Sequence, residues 1–393
     1  MHRLLLFATA SFALSAAGRA QCARADALAA YESEWLGTET TLAELDWSGS
    51  VVGCDPGEPS TLALDHALRR VNYYRDACGL PPVTLNPEWN QKAQAAAVMM
   101  DSANANDHYP EPDYPCYTED GREAAGKSNL YWGRWGAGAV AGYIEDPGEN
   151  NGPVGHRRWI LFPPQQEIGM GFTSGADAMW VIGGPKSRPE TPNGIAWPPS
   201  GYVPARLVHP RWSFSRHRAD FKSATVSLTG PRGEDIPVTI NEIKNGFGDN
   251  TLVWEPDMRL IDNNPEDDEA YQVRIDNVIE GGEPRSYAYT VIAMAVDKPG
   301  CTARLISSTE TATPRTPEAN LAYHPASRQL VLSGDSGEYE VFLSDEVGRT
   351  ILRARIGLDL PLAVGQLPRG VYVAHLRPRG GSAQGLAHRF AVL

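Results

Sequence analysis

The sequence predicts a multi-domain protein: a helix-then-strand domain over residues 57–186, an all-β sandwich over 190–300, and a second, smaller all-β sandwich over 319–393. Three observations predict it. The 393 residues exceed what one hydrophobic core usually serves. The hydrophobic period changes near residue 190, from helical spacing to short alternating runs. A stretch rich in Thr, Ser and Pro over 301–318 reads as an extended linker before a last β-rich segment.

From the N-terminus, residues 1–20 read as a signal peptide. His2-Arg3 is a short positive start, 4–17 is an apolar run, and small residues lead to a cut after Ala20. The run is too short to span a membrane, and no later stretch is apolar for long enough. Cys22 lacks a lipobox before it. Residues 21–56 form a leader with helical character around 23–36 and no assigned function.

Ser60 opens a strong helix in which Leu64, Leu68, Val71 and Tyr74 recur at helical spacing. Gly79 stops it and Pro81-Pro82 prevents resumption. Asn86-Pro87 starts a second helix, with a capping Asn and Pro at the first helical position. Its buried face holds Trp89, Ala93, Ala96, Ala97 and Met100. A third helical piece lies near 137–143, 155–162 is a mixed segment, and 167–172 and 178–182 read as strands. Helices first and strands after give an α+β or layered α/β/α domain. Beyond it, 225–228, 238–240, 271–275 and 287–292 alternate, with turns at Asn245-Gly246 and Gly281-Gly282, which is the signature of a sandwich. The last segment repeats the pattern at 330–332, 339–343, 371–376 and 389–393.

The net charge of −13 makes nucleic acid and anionic membrane surfaces repulsive partners, and no basic stripe or zinc-finger spacing offsets it. The five cysteines, Cys22, Cys54, Cys78, Cys116 and Cys301, contain no CxxC pair, so a zinc ribbon or thioredoxin-type site has no support. An exported chain permits disulfides; the odd count leaves at least one thiol outside an internal bridge, and the residues alone leave the pairing open.

Several motifs carry two readings. Gly121 to Ser128 matches the phosphate-loop pattern GxxxxGK[ST] literally, but the polar stretch 112–120 supplies no buried strand before it, so the match is read as coincidence. Ser128, His156 and Asp146 have the residue types of a catalytic triad, but Ser128 lies in Gly-Lys-Ser-Asn rather than a nucleophile elbow. In the plainer reading Ser128 and Asn129 cap a helix or turn. Tyr131, Trp132 and Trp135, set among glycines, either line a groove for lipid or sugar or fill core and turns. Arg157 and Arg158 either receive a ligand carboxylate or pair with Asp146 or Glu149.

One ordered set is more specific. Arg70-Val71-Asn72-Tyr73-Tyr74-Arg75, Gly79-Leu80-Pro81-Pro82-Val83, residues 93–97, His108, Ser128-Asn129-Leu130 and, above all, Gly155-His156-Arg157-Arg158-Trp159-Ile160-Leu161 follow one another in a recognisable order. In that order and rough spacing the domain resembles the CAP superfamily, the cysteine-rich secretory, antigen and pathogenesis-related proteins. The resemblance implies an α/β/α sandwich around a mainly antiparallel sheet, with a cleft. Residue by residue it places His108 and His156 as the cleft histidines and Asp146 at an acidic position. Ser128, followed by Asn129, stands where the family has its other carboxylate, which removes a charge. The resemblance implies that His108 and His156 hold zinc or another divalent metal, and that Cys54 pairs with Cys116, with Cys78–Cys116 as the alternative. It assigns no catalytic residue. The expected function is a secreted or outer-surface binding module for a small hydrophobic ligand, a glycan or a protein. The alternatives are a metal-assisted hydrolase or peptidase, and an adhesive surface protein in which the domain is scaffold. The middle domain, at Trp197-Pro198-Pro199 and Trp212-Ser213-Phe214, resembles accessory sandwiches beside bacterial CAP domains. Through Asn320, His324-Pro325, Asp345, Gly348-Arg349, Leu367 and Gly370-Val371-Tyr372, the final segment resembles the C-terminal sorting domain of type IX secretion substrates. That resemblance implies secretion machinery as a partner.

Overall fold

The structure is a computed structural model that describes residues 16–184 and 187–297 and, beyond them, 320–324, 329–333, 339–344, 350–356, 362–364, 367, 370–378 and 386–392. Residues 1–15, which carry most of the signal-peptide reading, and the 301–318 linker lie outside the described residues. The chain divides into two compact units, Met1–Ala303 and Arg304–Leu393.

In the first unit the leader is folded onto the rest. Helix α1 (Ala16–Ala30) continues into a π-helical turn at Tyr31–Trp35 and a 3-10 turn at Leu36–Thr38. Trp35 Nε1 donates to the Tyr74 hydroxyl at 2.8 Å, and buried Arg70 donates to Thr38 Oγ1 at 2.9 Å while lying over the Trp35 ring. A capping box at Thr41 and Glu44 opens α2 (Leu42–Leu45). Ser60 Oγ accepts from Ala63 N at 3.0 Å and starts α3 (Thr61–Ala77). After β1 (Thr84–Leu85), Asn86 accepts from the amides of Glu88 and Trp89, with Pro87 at the first position of α4 (Pro87–Ala103). There follow α5 (Glu119–Ala125), β2 (Ser128–Trp132), α6 (Gly136–Glu145), α7 (Gly155–Ile160), β3 (Glu167–Phe172) and β4 (Ala176–Trp180).

The sheet runs β1-β3-β4-β2 and is antiparallel except for the β1–β3 pair. Strand alternation sorts its side chains to two faces. Ile168, Met170, Phe172 and Met179 join α3 and α6 in one core, whereas Leu130, Ala176, Ala178 and Trp180 join α4 and α5 in another. On the α4 face β3 presents Gly169 and Gly171 beyond its first residue, Glu167. A Cβ on Gly171 would stand 2.0 Å from Gln94 N, so glycine is what lets the alanine-rich helix press onto the strand.

Two elements differ from expectation. Ser128 and Asn129 belong to a strand rather than capping a helix or turn, because 128–132 pair with β4 from Ser128↔Trp180 to Trp132↔Ala176. The same pairing sets β4 at 176–180 instead of 178–182. The phosphate-loop pattern behaves as the coincidence it was read as: Gly121 lies inside α5 and Lys127 pairs with Glu123 at 2.7 Å, so no anion cradle forms there.

Strands β5 (Ile195–Trp197), β6 (Gly201–Pro204), β7 (Trp212–Arg216), β8 (Thr225–Thr229), β9 (Asp235–Ile236), β10 (Val238–Ile240), β11 (Asn250–Pro256), β12 (Glu269–Glu280) and β13 (Glu283–Met294) build two further sheets. One is ordered β10-β11-β7-β5 and the other β6-β13-β12-β8-β9. Gly281-Gly282 joins β12 to β13 with φ of +61° and +91°, as a primed hairpin turn requires. Trp197, Trp212, Phe214 and Trp254 from one sheet meet Leu228, Tyr271, Val273 and Ile275 from the other. The same cluster runs on into α3 and α6, and the Tyr74 and Trp197 rings meet edge-on at 5.0 Å. The helical layer and these sheets therefore share one core.

The second unit contains β14 (Asn320–His324), β15 (Gln329–Ser333), β16 (Tyr339–Ser344), β17 (Thr350–Ile356), β18 (Leu362–Ala363), β19 (Gly370–Pro378) and β20 (Leu386–Val392). They form a β14-β15-β18 sheet and a β17-β16-β19-β20 sheet around Leu330, Val341, Leu343, Val364 and Ala374. Among the described residues no helix is long and apolar enough to cross a membrane.

Candidate functional site

Two left-handed residues frame His156. Helix α6 ends at Asp146, with φ of +54°, and α7 begins behind buried Val154, with φ of +47°. A β-branched residue is strained in that region, and such strain persists only where surrounding packing fixes it. The reversal brings the Asp146 carboxylate, 1% exposed, to the first turn of α7. Asp146 Oδ2 accepts from His156 N at 3.0 Å and Oδ1 from His156 Nδ1 at 2.8 Å. From the other side Asn129 Nδ2 donates to the His156 carbonyl at 3.1 Å, and the Tyr143 ring lies 5.3 Å from the imidazole.

His108 is held at the end of α5, where its Nδ1 lies 2.8 Å from the Ala125 carbonyl oxygen. A carbonyl only accepts, so Nδ1 carries the hydrogen and the neutral ring keeps its lone pair on Nε2. The Asp146 carboxylate selects the same tautomer at His156.

His108, Ser128, Asn129 and His156 line one cleft of about 400 Å³, together with Tyr109, Asn150, Asn151, Trp159 and Phe247. An adjoining recess of about 240 Å³ is lined by His108, Asp146, His156, Tyr131 and Trp132. All five residues singled out from the sequence thus lie around one hollow. A larger cavity of about 790 Å³ opens elsewhere in the unit, between Glu145, His209, Arg232, Arg259 and Asp262. Two of its arginines are already paired, Arg232 with Glu234 and Arg259 with Asp257, and neither cleft histidine reaches it.

Ser128 is 5% exposed and its Oγ makes no hydrogen bond among the described residues. The nucleophile–base bond of a triad is therefore missing, although the His156–Asp146 half is present. A cation is offered two imidazole Nε2 atoms. Asp146 has both oxygens committed to His156, and among the described residues no group of three or more His, Cys, Asp or Glu side chains is placed to hold a metal ion. Protein zinc sites use three or four such ligands, so this donor set does not complete one.

Cys54 and Cys116 are disulfide-bonded, with Cα atoms 5.1 Å apart. Cys78 stays a thiol, packed 3.4 Å from the Ala196 carbonyl, where burial pushes its pKa up to about 12 and removes the reactive thiolate.

Arg157 and Arg158 make no hydrogen bond to Asp146 or Glu149. Buried Arg157 donates to the carbonyls of Ile144, Glu145 and Arg211 and to Ser213 Oγ, and Arg158 to the carbonyls of Lys244 and Asp249. They tie α7 to the neighbouring sheets. Asp177, which lines neither hollow but bonds to the Tyr143 that packs beside His156, is a supporting residue the sequence reading misses. It is buried, and accepts from Tyr143 Oη at 2.9 Å and from Gly136 N at 3.0 Å. Burial pushes its pKa up to about 7 against those two hydrogen bonds. The signal available for it is one acid inside the otherwise apolar strand Ala-Asp-Ala-Met-Trp.

No curated protein matches the chain. Among solved structures, the BSP domain of a biofilm-associated protein is 14% identical over 49% of this chain and 28% of its own length, with a TM-score of 0.15. A two-domain fibronectin type III segment of chicken tenascin is 12% identical over 47% of this chain and 93% of its own, with a TM-score of 0.16. The chain thus spans 28% of the first of these, and at such scores neither likeness bears on fold or function. The family comparison is specific to one region: residues 68–182, which hold both cleft histidines, match the model of CAP, the cysteine-rich secretory protein family.

Proposed function

We propose that this is an exported protein whose CAP-type domain binds a small ligand in the His108–His156 cleft without transforming it. One observation carries the reading. Two imidazoles, each with its Nδ1 engaged by an acceptor, share an open cleft in which, among the described residues, no hydroxyl is bonded to a base. Their Nε2 lone pairs accept hydrogen bonds from ligand hydroxyl or amide groups. A hydrophobic small molecule, a glycan or a segment of another protein are the ligand classes in view; the net charge of −13 disfavours nucleic acid. Export to the medium or the outer cell surface is supported by the apolar run at 4–17 and by the Cys54–Cys116 disulfide. The tail's separate sheets suit its assignment as a sorting domain handled by secretion machinery, which predicts a mature mass lacking that unit.

A metal-assisted hydrolase is the second reading. It is favoured by the engagement of both Nδ1 atoms, the arrangement that orients an imidazole toward a cation through its other nitrogen. Zinc or another divalent ion would be held by two protein nitrogens and water, hence weakly, and no chemical step is assigned to it. The test uses the full-length exported protein and its His108→Ala and His156→Ala variants, screened against a broad small-molecule and glycan library by thermal shift and calorimetry, with and without EDTA. Binding that survives chelation and falls at least tenfold in both variants is expected. Equal binding by both variants would overturn the cleft as the site. A hydrolytic activity abolished by EDTA would replace the binding reading with the second one.

A further inference from the structure

We infer that the β5–β13 sheets complete this cleft, their 241–249 loop supplying Phe247 as the stacking platform for a neutral saccharide. The inference rests on the cleft reading above and names its ligand class and a specificity determinant outside the CAP-type segment.

Gly246 and Phe247 line the cleft although they lie well beyond residue 182. The ring packs on Gly155, the residue before His156: a Cβ there would stand 3.0 Å from Phe247 Cδ1. The loop is anchored at both ends. Arg158 donates to the Lys244 carbonyl at 2.7 Å and the Asp249 carbonyl at 2.8 Å, and its guanidinium lies 5.4 Å from the Phe247 ring centroid. Asn241 Nδ2 reaches the Gly152 carbonyl at 3.3 Å, and Arg188 holds the Asp249 carboxylate with two bonds, at 2.7 and 2.8 Å. Gly246 and Gly248 adopt φ of +103° and +58°, which turns the loop tip without steric cost. A half-buried phenyl ring, fixed from behind and open to a cleft, is a recognition surface.

The lining chooses the ligand. Among the described residues, no Asp, Glu, Lys or Arg lines the 400 Å³ cleft, so a phosphate, sulfate or carboxylate finds no carboxylate-pairing cation among them. Aromatic faces come from Phe247, Trp159 and Tyr109, the last 75% exposed. Between them stand the amides of Asn150 and Asn151, two imidazoles and the buried, unpartnered Ser128 Oγ. Aromatic planes suit the C–H faces of a sugar ring, and neutral donors and acceptors suit its hydroxyls. A long acyl chain would want the reverse, a closed apolar tunnel.

The test titrates full-length protein with neutral tetrasaccharides of β-1,4-glucose, β-1,4-N-acetylglucosamine, α-1,4-glucose and α-mannose, following Trp fluorescence and heat. A heparin-derived tetrasaccharide and laurate are the comparators. Binding of a neutral tetrasaccharide, weakened at least tenfold by Phe247→Ala and retained by Phe247→Trp, is expected, with unchanged thermal unfolding of both variants. Binding of none of the four, or tighter binding of either comparator, overturns the saccharide assignment. If Phe247→Ala binds like the parent while His156→Ala does not, the sandwich contribution fails and the cleft reading stands. If neither substitution matters, both fail.

Discussion

Asp146 Oδ1 lies 2.8 Å from His156 Nδ1 while Oδ2 of the same carboxylate accepts the His156 backbone N–H at 3.0 Å. One buried group therefore fixes the ring and the chain that carries it. Asp146→Asn keeps the size and tolerates the left-handed backbone, but it presents one acceptor to two donors. The expected cost is about 1–3 kcal/mol in urea unfolding. The expected ¹⁵N imidazole spectrum has the His156 hydrogen moved to Nε2. An Asn variant with parental stability and tautomer would show that the carboxylate does not orient the ring.

Arg157 is a seam residue rather than a ligand group. Its guanidinium reaches Ile144 O at 2.6 Å, Arg211 O at 2.7 Å and Ser213 Oγ at 3.1 Å, which joins α6 to β7. Lysine cannot fork to several acceptors, so Arg157→Lys leaves buried carbonyls without donors. A loss of about 3–5 kcal/mol is expected, close to that of Arg157→Met. A lysine variant within about 1 kcal/mol of the parent would mean that one bond suffices and the fork is incidental.

The readable parts of this chain are those fixed locally. Ser60, Asn86 and Pro87 announce α3 and α4 because caps act within one turn of the helix they start. Strand β2 is not announced: Ser-Asn-Leu-Tyr-Trp has no clean alternation, and its state is decided by β4 across the sheet. His108 and His156 come forward only through an ordered set of motifs, since no spacing rule sets distant imidazoles around one cleft. Phe247 escapes because it belongs to another structural layer, and Asp177 because its partner Tyr143 is reached through tertiary packing. Arg157 and Arg158 mislead in the opposite sense: charge is legible in a sequence, whereas burial against carbonyls is not.

Asp177 makes a pH prediction. Its carboxyl holds a proton up to about 7 in the folded state, against 3.8 ordinarily, because burial penalises the charge. Between those values the folded chain binds more protons than the unfolded chain. This group therefore makes stability fall as pH rises, by at most about 1.4 kcal/mol per unit, and its cost is complete above about pH 7. Asp177→Asn is neutral throughout, so the parent-minus-variant difference in urea stability should decline steadily from pH 4 to pH 7 and then level. A difference that is flat over this range, or that rises with pH, would refute the assignment.

The spacing between α4 and the sheet is set by glycine, and a paired substitution tests it. A Cβ on Gly171 would meet backbone, Gln94 N at 2.0 Å and Ala93 C at 2.3 Å, and backbone cannot swing aside as a flexible side-chain end can. Gly171→Ala must push α4 outward and open the alanine-packed layer of Ala93, Ala96 and Ala97, at a cost of about 3 kcal/mol or more. Gly138, in the first turns of α6, has nothing within 4 Å of the point where a methyl group would stand. There alanine only reduces the freedom of the unfolded chain and raises helix propensity, so Gly138→Ala should stabilise by about 0.5–1 kcal/mol. The same methyl group thus carries opposite signs at two positions of one unit. Equal effects in thermal unfolding would mean that the close approach of α4 to the sheet does not depend on the missing Cβ atoms.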